Sequence, residues 1–212
     1  MAREMIANTT YYMKENTRTY LSTPDGARSA WYELLDLPSE LKLDREGFAQ
    51  LWQQHPEKLG QIKLFGKMVD TPRYQQNYGT PYYYSGVLHQ PQPIKPDSYL
   101  AKVQAWVQAH SRLNYQQLLA NYYRDGQDYI SMHSDSEAGL VPGAPIYSIS
   151  LGATRPFVLQ SIDRKTKVEL TLSDGQVLIM GGTLQTYYKH GLPKRKRITQ
   201  PRINLTLRLM QP

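Results

Sequence analysis

Apolar residues in the first half of the chain recur at helical spacing in two places. Between Leu43 and about Gln53, Phe48, Leu51 and Trp52 fall on one side, and Asp44 stands where an N-cap is needed. From Asp97 or Ser98 to His110 a second helix is predicted, with Leu100, Val103, Trp106 and Val107 turned inward. The Pro-, Gly- and Tyr-rich stretch from Thr71 to Pro96 reads as loop with short strands. Residues 1 to 28 are polar and aperiodic, which predicts a mobile or loosely docked arm. The second half changes period. QQLLANYY, YISMHSD, PIYSISLG, RPFVLQ, KVELTL, QVLIM and INLTLRLM are strand-length runs parted by the turn signals RDG, VPGAP, DRKTK, SDG and GG. Helices followed by many short strands predict a mainly β fold with flanking α: a sandwich or jelly roll with helices packed outside. Neither a repeat nor a Pro/Ser linker divides the chain. Residues 29–212 are therefore expected to form one domain, with helices in 29–110 and the strand core in 111–212.

Two of these strands carry chemistry. Alternation in DYISMHSD turns Tyr129, Ser131, His133 and Asp135 one way and Ile130 and Met132 the other. A His and an Asp two apart on one face can converge on an ion, and His190 in YYKHGLP can supply a third ligand. Two imidazoles and one carboxylate leave other coordination positions open, as non-haem Fe(II) oxygenases require. HxD by itself is more often a hydrogen-bonded or exposed histidine than a metal pair. In PRINLTLRLM, Ile203, Leu205, Leu207 and Leu209 alternate with Arg202, Asn204, Thr206 and Arg208. Such a polar face is either solvated or an anchor for a carboxylate, which arginine grips with a planar fork.

Composition narrows the chemistry. Without cysteine the chain has no disulfide framework, thiolate metal site or cysteine nucleophile. A net charge of +7 and 17 tyrosines against 3 Trp and 3 Phe fit a polyanionic partner and a sheet-rich fold. No stretch approaches the apolar length of a signal peptide or a membrane span, so a cytoplasmic or nuclear monomer is expected.

HSD, a later His and RINLTLR together resemble the AlkB family of Fe(II)/2-oxoglutarate nucleic-acid demethylases, in particular its animal members that repair duplex DNA. The likeness runs from about Ile62 to Met210 and includes IKLFGK, PRYQQNYG, YYYSG, NYYRDGQDYISMHSDSE, APIYSISLGATRPFVL and HGLPKRKRITQ. It implies a double-stranded β-helix with His133, Asp135 and His190 holding iron. It also implies that Arg202 and Arg208 grip 2-oxoglutarate, that Asn121 and Tyr123 hydrogen-bond it, and that Asn204 lies beside it, with Thr206, in support of the strand. O₂ is the other cosubstrate. The reaction implied is oxidative removal of N-methyl groups, as in 1-methyladenine and 3-methylcytosine, from double- or single-stranded DNA, with RNA a further candidate.

A base must leave the stack to be reached. By the same resemblance, Tyr82 and Tyr84 surround the flipped base and Arg73 lies near it. Phe65 is a wedge that fills the gap, and Lys194, Arg195, Lys196 and Arg197 meet phosphates. The plain alternatives are strand aromatics, a surface cation, a core Phe and a solvated loop. Ser136 stands where duplex-repair members carry an acid, with Glu137 next. This departure predicts a weaker preference for cationic bases. A protein or small-molecule hydroxylase and a non-catalytic nucleic-acid-binding domain are the competing readings.

Overall fold

The structure, a computed structural model, describes residues 18–84, 86–135 and 139–211, apart from the side chains of Leu64, Tyr82 and Tyr84. In chain order the elements are β1 (Thr19–Leu21), β2 (Ala30–Asp36), α1 (Arg45–Trp52), β3 (Gln61–Leu64), β4 (Lys67–Asp70), β5 (Tyr74–Gly79), β6 (Tyr82–Tyr84), β7 (Val87–His89) and α2 (Tyr99–Ser111). There follow β8 (Gln117–Tyr123), β9 (Ile130–His133), β10 (Ile146–Gly152), β11 (Arg155–Ser161), β12 (Lys167–Leu172), β13 (Gln176–Gly182), the single-turn α3 (Leu184–Tyr187), β14 (Tyr188–Leu192) and β15 (Arg202–Arg208). Both helices are capped as their sequences predict: Asp44 accepts from the Gly47 amide and Ser98 from the Ala101 amide.

The strands build a jelly roll of two antiparallel sheets. One has the order β1-β2-β13-β10-β15-β8-β5 and the other β12-β11-β14-β9. Alternation along each strand sorts side chains into two buried layers. Ile149, Leu151, Val177, Ile179, Ile203 and Leu205 meet α1 and α2 through Leu51, Leu100, Val103 and Val107 on the outer face of the large sheet. Between the sheets, Ile146, Leu178 and Met180 of the large sheet pack with Phe157, Leu159, Leu170 and Leu172 of the small one. The helices thus cover one face of the large sheet, and the small sheet covers the other. No helix among the described residues is long and apolar enough to cross a membrane.

Three features differ from the sequence reading. Of the arm expected over residues 1–28, residues 1–17 lie outside the described part, while Thr19–Leu21 pairs with β2, so chain order begins before the polar stretch ends. The run AWYELLD forms β2 although apolar residues do not alternate in it; its register against β13 decides its state. YKHGL forms β14, a strand hidden by its Lys-His-Gly composition. Gly191 fits there because a Cβ would come within 2.9 Å of the Ile130 carbonyl and 3.0 Å of the Met132 sulfur.

Candidate active site

The polar face of β15 is not solvated. Paired with β10 on one side and β8 on the other, it is buried at every position, with Arg202 1% and Arg208 4% exposed. Its Arg202, Asn204, Thr206 and Arg208 therefore enter the space between the sheets, where they line a pocket with His133, Asp135 and His190. This excludes the solvated-face reading of RINLTLR.

Two strands of the small sheet deliver the histidines. β9 and β14 pair with His133 directly opposite His190, and their rings lie 4.3 Å apart. A bulge follows, because Ile130 pairs with Leu192: three steps on β9 match two on β14. That extra residue breaks the strict alternation expected of YISMHSD. Ile130 and His133 both line the pocket, while Ser131 is exposed. Asp135 lies past the end of β9. Its amide donates to the Gln185 side chain on α3 at 2.9 Å, and the hydroxyl of Ser134 donates to the Tyr188 carbonyl at 2.9 Å.

One ligand atom from each of His133, Asp135 and His190 lies within 4.8 Å of the other two. His133 Nε2 stands 3.7 Å from one Asp135 oxygen and His190 Nε2 3.9 Å from the other. The Nδ1–H of His133 donates to the Ser131 carbonyl at 2.9 Å, which leaves Nε2 bare for a ligand bond. His190 is stacked on Phe157, its Nδ1 without a hydrogen-bond partner among the described residues. Burial keeps both imidazoles neutral: it pushes His133 down and takes His190 to about 3, with the neighbouring His133 adding to the latter shift. Burial alone would raise the Asp135 carboxyl, but the Arg208 guanidinium, which donates to both its oxygens, outweighs it and holds the group ionised, below the usual range. Neutral imidazoles beside an ionised carboxylate are the protonation states a divalent ion requires. These residues fit iron.

The His190 shift has a consequence for the apoprotein. The folded value lies below the 6.5 of a free imidazole, so below that pH the unfolded chain takes up a proton that the fold refuses. The His190 contribution to stability is complete above pH 6.5 and is lost, by up to about 1.4 kcal/mol per pH unit, as pH drops toward 3. Urea unfolding of EDTA-treated protein at pH 7.5 and 5.5 measures this. His190→Leu should show a smaller loss over the interval, and an equal loss would place the acid sensitivity elsewhere.

The two arginines of β15 differ. Arg208 Nη2 donates to both oxygens of Asp135 at 3.1 Å, so it already holds the ligand carboxylate. Arg202 has no carboxylate within ion-pair distance among the described residues. Its Nη2 donates to Ser150 at 2.8 Å, its Nε has no partner, and it lies over the Tyr123 ring. Burial pulls its pKa down to about 10. A buried cation with one neutral acceptor calls for an anion, and a carboxylate of 2-oxoglutarate fits.

The other sequence-predicted residues divide. Asn121 and Tyr123 line the pocket. So does Asn204, but its amide donates to Ser148 and the Ile149 carbonyl and accepts from Thr206, which fits support of β15 rather than a donor offered to a cosubstrate. Arg73 is no surface cation: 3% exposed, it donates to Asn121 at 2.8 Å and to the Tyr129 carbonyl at 3.3 Å. Phe65 is no core residue. It projects fully exposed from the β3–β4 turn. Tyr82 and Tyr84 stand on β6 with side chains outside the described part, and Ser136 and Glu137 lie outside the described residues. In the basic loop after β14, Arg195 pairs with Glu169 at 3.1 Å and Lys194 lies over Tyr129, while Lys196 and Arg197 are exposed.

Arg155 and Gln185 escaped the sequence reading. Arg155 is buried and donates to the carbonyls of Asp125, Asp128 and Pro193, which ties the turn before β9 to the basic loop. An arginine opening an otherwise apolar strand was its only signal. Gln185 had none.

Residues 30–208 match the family model described as 2OG-Fe(II) oxygenase superfamily. The chain is 37% identical over 165 residues to mouse "DNA oxidative demethylase ALKBH2", a match spanning 73% of this chain and 68% of the relative. With the human protein of that name it shares 37% identity over 71% of this chain and 61% of the relative. Mouse "Alpha-ketoglutarate-dependent dioxygenase alkB homolog 3" is 33% identical over 66% of this chain and 52% of its own length. This chain thus spans about half to two thirds of these relatives. The solved structure described as "The structure of OsALKBH1" superposes with a TM-score of 0.58 at 20% identity, covering 84% of this chain and 97% of that one, and so shares the fold.

Proposed function

The chain belongs to the 2OG-Fe(II) oxygenase superfamily, and on that premise we propose that it strips N-methyl groups from DNA bases, chiefly 1-methyladenine and 3-methylcytosine. Its cofactors are Fe(II), 2-oxoglutarate and O₂. The observation that carries the reading is the convergence of His133, Asp135 and His190 beside the buried Arg202, which has no carboxylate partner among the described residues. His133, Asp135 and His190 would hold the metal on one side, and Arg202, with Tyr123 beneath it, would anchor the far carboxylate of the cosubstrate. Asn121, oriented by Arg73, would stand at the pocket wall between them. The bound group supplies hydroxylation of the methyl carbon. Loss of formaldehyde from the resulting N-hydroxymethyl base needs no protein acid or base. His133, the most exposed of the three ligands at 17% of its side chain, marks the open side where a base would enter.

The names of the relatives and the geometry of Phe65 support DNA as the substrate. Phe65 and Gly66 form the β3–β4 turn with φ of 48° and 79°. A bulky residue rarely adopts that conformation, which costs an L-residue about 1–2 kcal/mol, and here it also exposes a whole apolar ring. Strain retained at an exposed tip fits a wedge for the gap that a flipped base leaves. Phe65→Asn should therefore raise the unfolding free energy by up to about 1 kcal/mol. It should also slow repair of duplex substrates more than of single strands. Equal slowing on both would remove the wedge role.

Mass spectrometry of a 3-methylcytosine oligonucleotide incubated with Fe(II), 2-oxoglutarate and ascorbate tests the activity. Loss of the methyl group with matching succinate supports it. Succinate formation with no change in methylated DNA or RNA would reassign the substrate to a protein side chain or a small molecule.

A further inference from the structure

A line of hydrogen bonds, buried as far as Asn77 and part-buried beyond it, runs from the ligand cluster to the β6–β7 hairpin. Asp135 accepts from Arg208 Nη2, and Arg208 Nη1 donates to Gln117 Oε1 at 3.3 Å. Gln117 Nε2 donates to Asn77 Oδ1 at 2.8 Å. Asn77 Nδ2 then donates to the Thr80 carbonyl at 2.8 Å and the His89 carbonyl at 3.0 Å, at the two feet of the hairpin. The Asn77 main-chain carbonyl also accepts from Gln92 at 2.8 Å, just beyond the hairpin. Register places the participants: Gln117 sits opposite Arg208 across β8–β15, and Gly79 at the end of β5 sits opposite Gln117.

The orientation of both amides follows from the cation outward. Arginine only donates, so Gln117 must turn its oxygen to Arg208 and its nitrogen to Asn77. Asn77 must then present its oxygen to Gln117 and its nitrogen to the two carbonyls. Gln117 is fully buried and Asn77 is 2% exposed. Apolar side chains would fill such positions without the desolvation of two amides. Among the described strands β6 and β7 ladder only with each other, and the hairpin meets β5 through the main chain only at its foot, where Gln92 bridges Tyr78; the two amides add a side-chain link from that foot to Arg208.

We infer that Gln117 and Asn77 are positioning residues that hold Arg208, and through it the Asp135 carboxylate, in register with the hairpin bearing Tyr82 and Tyr84. Seating a base on that hairpin and binding metal then favour each other, by the same factor in either direction. This rests on the nucleic-acid reading above.

Calorimetric titration of the full chain with Mn(II) and 2-oxoglutarate, with and without a 3-methylcytosine oligonucleotide, tests the linkage. In the wild type the oligonucleotide should raise Mn(II) affinity about fivefold or more. Gln117→Leu should lower Mn(II) affinity about 10-fold without oligonucleotide and abolish the increment. Asn77→Leu, cut on the hairpin side, should abolish the increment with a far smaller change in affinity alone. Gln117→Met replaces Gln117→Leu if circular dichroism shows the latter unfolded. An oligonucleotide that does not bind the wild type overturns the nucleic-acid reading and the linkage with it. One that binds but leaves Mn(II) affinity unchanged, or that produces the same increment in the variants, overturns the linkage alone.

Discussion

Alanine at His190 is expected to abolish turnover and metal binding while the fold survives, whereas alanine at Asp135 is expected to cost the fold itself about 3–5 kcal/mol. Both changes remove a ligand from a set of three with no further His or carboxylate joining the cluster among the described residues. Their structural consequences diverge because the groups differ in charge. His190 is neutral in the fold, and its loss leaves a void against Phe157 but strands no ion. That costs about 1–3 kcal/mol. Asp135 is the anion that faces Arg208, a guanidinium only 4% exposed. Without it a buried cation loses its charged partner. Urea unfolding of the EDTA-treated wild type and both variants, with Mn(II) calorimetry alongside, distinguishes the two effects. A wild-type urea midpoint in Asp135→Ala would mean that the pair with Arg208 contributes nothing to the apo fold.

Leucine at Arg202 should leave the apoprotein as stable as before, or more so, and raise its 2-oxoglutarate requirement about 10- to 100-fold. Arg202 is buried with one neutral acceptor on Nη2 and an unpartnered Nε. Its charge is a liability to the empty fold and an asset only when an anion arrives. Arg208→Leu should do the reverse to stability, because it strands the Asp135 carboxylate. Lysine at 202 should restore the cosubstrate only in part, since an ammonium lacks the planar fork. Succinate formation against 2-oxoglutarate concentration, together with thermal melts, reads both quantities. An unchanged requirement in Arg202→Leu would remove it as the anchor.

The contrast between these arginines shows where the sequence stops. RINLTLR announces two cations on one strand face, and nothing in it says that one faces an aspartate while the other, among the described residues, faces no carboxylate. That difference comes from β9 and α3, which carry Asp135 to one end of β15 and leave Ser150 at the other. Arg155, another buried cation, belongs to main-chain carbonyls, so burial alone does not identify an anion site.

By itself the sequence determined a mainly β fold with flanking helices, the Asp44 cap, the HxD pair and, through the resemblance carried by HSD, a later His and RINLTLR, the family, its jelly roll and the third candidate ligand His190. The first three rest on local periodicity, on capping chemistry or on residue types at short spacing, and the rest on the resemblance. The β9 bulge, the burial of the polar face of β15, the separate partners of Arg202 and Arg208, and the path through Gln117 and Asn77 were decided by tertiary structure alone. Each depends on which strands lie side by side and in what register. Pairing of β5, β8 and β15 brings Asn77, Gln117 and Arg208 together, and a one-residue shift of any of these strands would turn its side chains to the opposite face; Asp135 reaches Arg208 across the space between the sheets.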